Sequence, residues 1–135
     1  MLKKYLSMTK AFAVFDARLA NYQWAVSAIA HDGALVYSCM NELLKARADG
    51  FRYTDDLRRW PDNRLGNRLA AEHLALARNE NRPVRLVIAT TKTDVVAAGA
   101  KARGQTKWSV AEEMEGRVTS FNGKKFVIDF RSNSD

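Results

Sequence analysis

Residues 61 to 83, PDNRLGNRLAAEHLALARNENRP, form the stretch around which the rest of this chain is predicted to fold. On a helix that advances about 100° per residue, the apolar side chains of this stretch fall within one sector, which predicts a helix packed on a core. Those side chains are Leu65, Leu69, His73, Leu76 and Ala77, with Ala70 and Leu74 on the flank. Asp62 or Asn63 is expected to cap the helix, and residues 79 to 83 are expected to end it.

Four arginines share the opposite face of the predicted helix, each within roughly 40° of a common direction. They are Arg64, Arg68, Arg78 and Arg82. Because each guanidinium offers a planar fork of donors, this stripe is the first candidate for contact with the phosphates of a nucleic acid. An ordinary solvated helix face has the same appearance, and Glu72 or Glu80 can pair with these cations across one turn.

Apolar runs before the helix predict strands. Residues 11 to 16 are short, apolar and aromatic, as in a buried strand. Residues 24 to 30 and 34 to 40 flank His31-Asp32-Gly33, and Asp-Gly between two such runs indicates a hairpin, since glycine accepts the positive φ of a tight turn. Residues 42 to 48 are expected to form a short helix capped by Asn41.

The remaining segments complete a sheet. Residues 51 to 60 suggest a strand that enters a loop or a helical turn, and the β-branched run 84 to 90 predicts a central strand. Residues 108 to 115 are ambiguous. Segments 117 to 120 and 125 to 130 bracket Asn122-Gly123, which indicates a second hairpin.

This order of elements predicts an α+β fold: a mostly antiparallel or mixed, curved sheet of five to seven strands with one principal helix packed on it. At 135 residues the chain fits one domain. We expect a flexible extension over residues 1 to 8, a single domain over 9 to 131 and a polar tail over 132 to 135.

Composition narrows the classes of function. The excess of 22 Lys and Arg over 15 Asp and Glu gives a net charge of +7, which favours a polyanionic partner without defining one. The single Cys39 allows no internal disulfide, and two histidines with one cysteine do not make a common structural zinc site. No apolar run approaches the roughly 18 residues of a membrane span, so we expect a cytoplasmic protein with no membrane partner.

A basic segment over residues 91 to 107 is the second candidate for binding. It contains two glycines and the cations Lys101, Arg103 and Lys107, and Trp108 follows it, where an indole could stack on an unpaired base. Trp60 stands beside two arginines in the same way. A surface excursion with Trp108 in the core explains this segment equally well.

No arrangement in the sequence predicts catalysis, a metal or a cofactor. Gly99 and Gly104 have the spacing of the P-loop glycines, but the lysine that should follow is missing. His73 is expected to be a buried, hydrogen-bonded side chain, and Cys39 a small core residue. An enzyme would require a pocket that gathers Asp16, Asp129 and a third carboxylate.

Two hypotheses follow. The first is a non-enzymatic protein that binds DNA or RNA through the arginine stripe and the basic segment, with Trp60 or Trp108 stacking on bases. The second is an interaction or accessory factor that binds an acidic protein or forms a homodimer by pairing a sheet edge.

Overall fold

One seven-stranded sheet organises the molecule. The computed structural model describes residues 5 to 91 and 106 to 132 of the chain. In chain order the elements are α1 (Met8–Ala13), β1 (Ser27–Ile29), β2 (Leu35–Met40), β3 (Leu44–Arg47), β4 (Gly50–Asp56), α2 (Arg64–Asn79), β5 (Val84–Thr90), β6 (Lys107–Phe121) and β7 (Lys125–Ser132). The strand order is β1-β2-β5-β6-β7-β4-β3. Among the strands of the described residues only β2 and β5 pair in parallel, so the sheet is mixed and mostly antiparallel, and the predicted α+β class is confirmed.

Both predicted hairpins are present. Gly33 lies between β1 and β2 with φ of 93°, and Gly123 lies between β6 and β7 with φ of 98°. L-residues rarely adopt such values, which is why Asp-Gly and Asn-Gly are reliable turn signals. The predicted strand over residues 84 to 90 is also correct, since β5 lies inside the sheet between β2 and β6.

The main core lies between α2 and one face of the sheet. Along β7 the side chains of Phe126, Ile128 and Phe130 are buried in it, because alternate residues of a strand point to the same face. The rings of Tyr37 and Tyr53 each lie about 5 to 6 Å from that of Phe126, centroid to centroid. These aromatic side chains fix how β2 and β4 are placed relative to β7.

The helix α2 forms as predicted, but a different side of it is buried. The Asn63 side chain accepts a hydrogen bond from Gly66 N, so Asn63 is the N-cap. The buried positions are Gly66, Ala70, Leu74 and Ala77. This face is rotated by roughly a quarter turn from the predicted stripe. Small residues let the helix approach the sheet closely, and Leu65 is left 56% exposed.

The strand predicted over residues 11 to 16 is wrong, because this segment begins in α1. Ser7 caps α1 by accepting from Lys10 N, and Ala11 and Phe12 are fully buried against the second face of the sheet. A short apolar run does not distinguish strand from helix by its period. Residues 6 to 8, expected in the extension, contact the domain: Leu6 N donates to the Trp108 carbonyl at 2.8 Å.

The helix predicted over residues 42 to 48 is also wrong. A single 3-10 turn over Asn41–Leu43 leads into β3, which pairs with β4 from Leu44 opposite Tyr53 to Arg47 opposite Gly50. A two-residue turn closes this hairpin, and pairing with β4 outweighs the weak helical preference of a segment this short. As expected for residues 51 to 60, β4 runs into a helical turn, Leu57–Arg59.

The ambiguous segment 108 to 115 belongs to β6, a strand of 15 residues. Two irregularities hide its alternation. Val84 and Leu86 of β5 pair with Gly116 and Ala111, so residues 112 to 115 bulge, and the register with β7 shifts again next to Val118. Bulges of this kind bend a strand and break the period-2 pattern on which a prediction depends.

The predicted basic segment falls mainly on residues 92 to 105, which lie outside the described part of the chain. None of the helices in residues 5 to 91 and 106 to 132 has the length and apolar character needed to cross a membrane.

Candidate functional site

A cavity of about 910 Å³ opens where the first turn of α2 meets the ends of β2 and β4. Residues 22 to 26, the start of α1 and the start of β6 complete its wall. Six aromatic side chains line it, including all three tryptophans of the chain: Tyr22, Trp24, Tyr37, Tyr53, Trp60 and Trp108. We call this site the aromatic cavity.

Two asparagines of α2 hold two of the tryptophans in place. Asn63 Nδ2 donates to the Trp24 carbonyl at 3.0 Å, and Asn67 Nδ2 donates to the Trp60 carbonyl at 2.9 Å. Gly66 lies between these asparagines, and a Cβ at Gly66 would overlap the Trp24 carbonyl oxygen. The sequence NRLGN of this turn therefore fixes both the helix start and the wall of the cavity.

Trp108 is held from the other side. Its indole Nε1 donates to Ser38 Oγ at 3.3 Å, while its carbonyl accepts from Leu6 N. The ring packs partly against the smaller hydrophobic cluster that α1 forms with the second face of the sheet, and it also lines the aromatic cavity. Trp108 is therefore partly a core residue, as one of the two interpretations expected, and it also forms part of the cavity wall.

Asp55 is a buried carboxylate at the aromatic cavity. Its Oδ2 accepts from the Tyr53 hydroxyl at 2.7 Å, and its Oδ1 accepts from Asp56 N and from Arg59 Nε, each at 2.7 Å. Burial, with the charge of Asp55, raises the pKa of the Tyr53 hydroxyl well above its usual value. That hydroxyl therefore remains a donor at neutral pH.

The arginines next to Trp60 are engaged in ion pairs. Arg58 Nη2 lies 2.7 Å from Asp56 Oδ2, and this hydrogen bond is the main cause that lowers the pKa of Asp56 to about 2. Arg59 is paired with Asp55, as described above. Neither cation is free beside the indole, although the sequence suggested it.

The structure brings part of the predicted arginine stripe to the aromatic cavity. Arg64 is exposed and lines the cavity. Arg68 is also exposed, lies 3.9 Å from Glu72, and shares a shallow surface groove with Arg64 and Leu65. Arg78 is exposed near the end of α2, about 21 Å from Arg64 along the helix axis.

Arg82 is not part of the stripe, so this element of the prediction is wrong. The helix ends at Asn79, Asn81 has a φ of 50°, and the chain turns away from the helix axis. Arg82 Nη2 lies 2.7 Å from Glu80 Oε1, and its Nη1 donates to the Gly33 carbonyl. Its side chain is only 26% exposed, because it ties the end of α2 to the first hairpin.

Of the three cations predicted to bind from the basic segment, the structure describes Lys107. Lys101 and Arg103 lie outside the described residues. Lys107 is exposed, and its Nζ lies 5.4 Å from the centroid of the Tyr5 ring, a cation–π contact.

Other predicted side chains are structural. His73 Nδ1 lies 2.8 Å from the buried Ser27 Oγ, and burial lowers the pKa of His73. Cys39 is fully buried. Asp16 is exposed, and Asp129 pairs with Arg52, so the aromatic cavity does not gather these two carboxylates. The described residues hold no group of three or more His, Cys, Asp or Glu arranged for a metal ion.

A second polar surface lies on the sheet face opposite α2, where β4, β6 and β7 present alternate residues. Arg52 Nε lies 2.7 Å from Asp129 Oδ1, and the Thr119 hydroxyl donates to the same carboxylate at 3.1 Å. Glu115 accepts from both Arg85 and Arg117 at 3.2 Å. We call this surface the charged sheet face.

Sequence reasoning missed Trp24 and Asp55 as residues of the site. Trp24 was assigned to a strand, and Asp55 lies in a run of mixed charge with no local pattern. The spacing Asn63-x-x-Gly66-Asn67 directly after Trp60 was the only local signal. This spacing indicates a site only once the fold is known, because the fold places Trp24 against the first turn of α2.

Comparisons of the chain with protein-family models, with curated proteins and with solved structures give no significant match.

Proposed function

We propose that the protein is a non-enzymatic nucleic-acid-binding protein that takes an unpaired stretch of DNA or RNA at the aromatic cavity. The observation that carries the proposal is that Trp60, Trp108 and Arg64 line the same cavity. Aromatic rings and cations side by side are the combination that single-stranded nucleic acids require, because bases stack while phosphates pair with guanidiniums.

The cations of α2 supply the phosphate contacts. Arg64 and Arg68 are exposed and one helical turn apart, next to the cavity mouth, while Arg78 extends the same side of the helix. Among the residues that the structure describes, the one carboxylate within 4 Å of these arginines is that of Glu72, 3.9 Å from Arg68, and at such exposure this interaction is weak. These guanidiniums can therefore exchange water for phosphate at little cost.

The tryptophans supply the base contacts. Stacking of a base on an aromatic side chain contributes about 1 to 3 kcal/mol and tolerates any base. Hydrogen bonds from Asn63 and Asn67 to the backbone carbonyls of Trp24 and Trp60, and from the Trp108 indole to Ser38 Oγ, hold the three tryptophan residues before a ligand arrives. Such preorganisation lowers the entropy that binding would otherwise cost.

Fluorescence anisotropy with a labelled single-stranded oligonucleotide at several salt concentrations tests the proposal. We expect affinity to fall steeply with salt, and Arg64→Ala/Arg68→Ala to weaken binding about tenfold at low salt. The same variant is expected to reduce the slope of log affinity against log salt by about 1.4, since two phosphate contacts are lost.

Arg47→Ala/Arg131→Ala is the matched control. It removes the same charge from two exposed arginines far from the cavity: Arg47 at the end of β3, and Arg131 of β7, whose Nε lies 3.3 Å from Asp49 Oδ2. Equal weakening by both pairs would mean that only net charge matters. Absence of salt-dependent binding by the wild-type protein would refute the proposal.

A protein partner is the second candidate, and one observation favours it. Leu65 is 56% exposed between Arg64 and Arg68, an arrangement that would suit an acidic peptide with an apolar anchor. Homodimerisation through a sheet edge is less favoured, because β1 has three residues and β3 carries Lys45 and Arg47. Recovery of one protein partner that survives nuclease treatment, lost in Leu65→Ser, would support this candidate.

A further inference from the structure

One acceptor at the aromatic cavity, a carboxylate oxygen of Asp55, has a lone pair that is not used in a hydrogen bond within the described part of the protein. Asp55 is only 8% exposed, and its Oδ2 accepts one hydrogen bond, from the Tyr53 hydroxyl. A carboxylate oxygen has two acceptor sites, so Oδ2 retains one. Its ion pair with Arg59 fixes the carboxylate in place.

Hydroxyl donors accompany this acceptor. Ser38 Oγ accepts from Trp108 Nε1, which leaves the hydroxyl proton of Ser38 for a further acceptor. Tyr37 also lines the cavity, and burial raises the pKa of its hydroxyl well above the usual value, so that it keeps its proton. The cavity therefore presents a carboxylate acceptor and hydroxyl donors among aromatic walls.

We propose that the aromatic cavity selects an unpaired nucleobase whose pairing edge has an amino group beside an accepting ring nitrogen, cytosine or adenine, over thymine or uracil, with Asp55 accepting from the amino group. This inference rests on the proposed function and names the base that the same site prefers. A cavity of about 910 Å³ falls in the size range that encloses small organic ligands.

The chemistry of the base edges gives the preference. Cytosine and adenine present an amino donor beside a ring nitrogen that accepts, which matches a carboxylate beside a hydroxyl donor. In thymine and uracil the edge donor is a ring N–H between two carbonyl oxygens, which would be brought against the Asp55 carboxylate. A good base contact discriminates by about 1 to 3 kcal/mol, or about five- to 150-fold in affinity.

Twelve-residue oligo(dC) and oligo(dT), measured by anisotropy at pH 7.5, test the preference, because both carry the same phosphates. We expect oligo(dC) to bind at least fivefold more tightly. Asp55→Asn is expected to reduce this ratio to less than twofold while leaving the salt slope unchanged. Arg64→Ala/Arg68→Ala is expected to lower the salt slope while leaving the ratio unchanged.

A modified ligand keeps the test independent of folding, since Asp55 is buried and its replacement could unfold the protein. Oligo(dC) with N4,N4-dimethylcytosine lacks both amino protons and should bind the wild-type protein no better than oligo(dT). Equal binding of modified and unmodified oligo(dC) would overturn the inference and leave the proposed function standing. Loss of salt-dependent binding to every oligonucleotide would instead overturn the proposed function.

Discussion

The aromatic cavity and the charged sheet face both carry arginines, but these arginines are in different electrostatic situations. On the sheet face Arg52, Arg85 and Arg117 each lie within about 3.2 Å of a carboxylate oxygen. At the cavity Arg64 and, one helical turn further, Arg68 are exposed, and within the described part of the chain the one carboxylate less than 4 Å from either is that of Glu72, 3.9 Å from Arg68. A net charge of +7 counts all these cations alike. Which of them can meet an anion is decided by pairing in the folded chain.

The two regions also differ in how firmly they are built. Close approach of backbone atoms fixes the cavity wall, because Gly66 of α2 lies against the Trp24 carbonyl. Ion pairs between partly exposed side chains organise the sheet face, and such pairs contribute little to stability. Substitutions in the two regions should therefore differ both in how much they lower the free energy of unfolding and in how much they change oligonucleotide affinity.

Gly66→Ala gives the largest expected effect. Elsewhere in a helix this change stabilises by up to about 1 kcal/mol, but here the added Cβ overlaps the Trp24 carbonyl and the Asn63 side chain. We expect the free energy of unfolding to fall by about 2 kcal/mol, as in an overpacked core, and oligonucleotide affinity to fall with it.

Urea denaturation followed by tryptophan fluorescence measures the Gly66→Ala effect as a shift of the midpoint at constant slope. Ala75→Gly, at a less buried position of α2, is the control and should cost about 0.5 to 1 kcal/mol. Stabilisation by Gly66→Ala would be incompatible with the close contact between α2 and Trp24.

Asp129→Asn gives the smaller expected effect. The Arg52 hydrogen bond is the main cause that lowers the pKa of Asp129 below its usual 3.8. A carboxyl group whose pKa is lowered by folding stabilises the protein at pH values above its unfolded-state pKa. This stabilisation is lost as the pH falls through the folded-state pKa. Because the pair is partly exposed, we expect a stability difference of about 0.5 kcal/mol or less at pH 7, which disappears as the pH falls below 3.8 and through the lowered pKa of Asp129.

Urea midpoints of wild type and Asp129→Asn between pH 7 and pH 2 measure this difference. Oligonucleotide affinity should stay within twofold of wild type, because the charged sheet face lies outside the proposed interface. A large loss of affinity in Asp129→Asn would move the interface to the sheet and remove the contrast between the two regions.

The structural roles that could be predicted from the sequence are those that depend only on residues nearby in the chain. Gly33 and Gly123 define their turns by conformation, and Asn63 caps α2 within its own first turn. The helix α1 was mistaken for a strand, and residues 42 to 48 for a helix, because these short segments take their structure from packing and strand pairing.

The residues of the site that could not be predicted depend on contacts distant in sequence. Trp24 reaches the cavity through Asn63, 39 positions away, and Trp108 through Ser38, 70 positions away. Arg82 does not lie on the arginine stripe, because the chain turns at Asn81 after the end of α2. The buried side of α2 also differs from the leucine stripe, since close packing of small residues decided which face meets the sheet.

The three tryptophan indole N–H signals in a ¹⁵N–¹H NMR spectrum test the central claim most directly. Each signal can be assigned from a single Trp→Phe variant and followed during titration with a single-stranded oligonucleotide. We predict saturable shifts of the Trp60 and Trp108 signals, larger than any backbone shift on the charged sheet face. Unmoved indole signals together with shifts confined to β4 and β7 would contradict binding at the aromatic cavity.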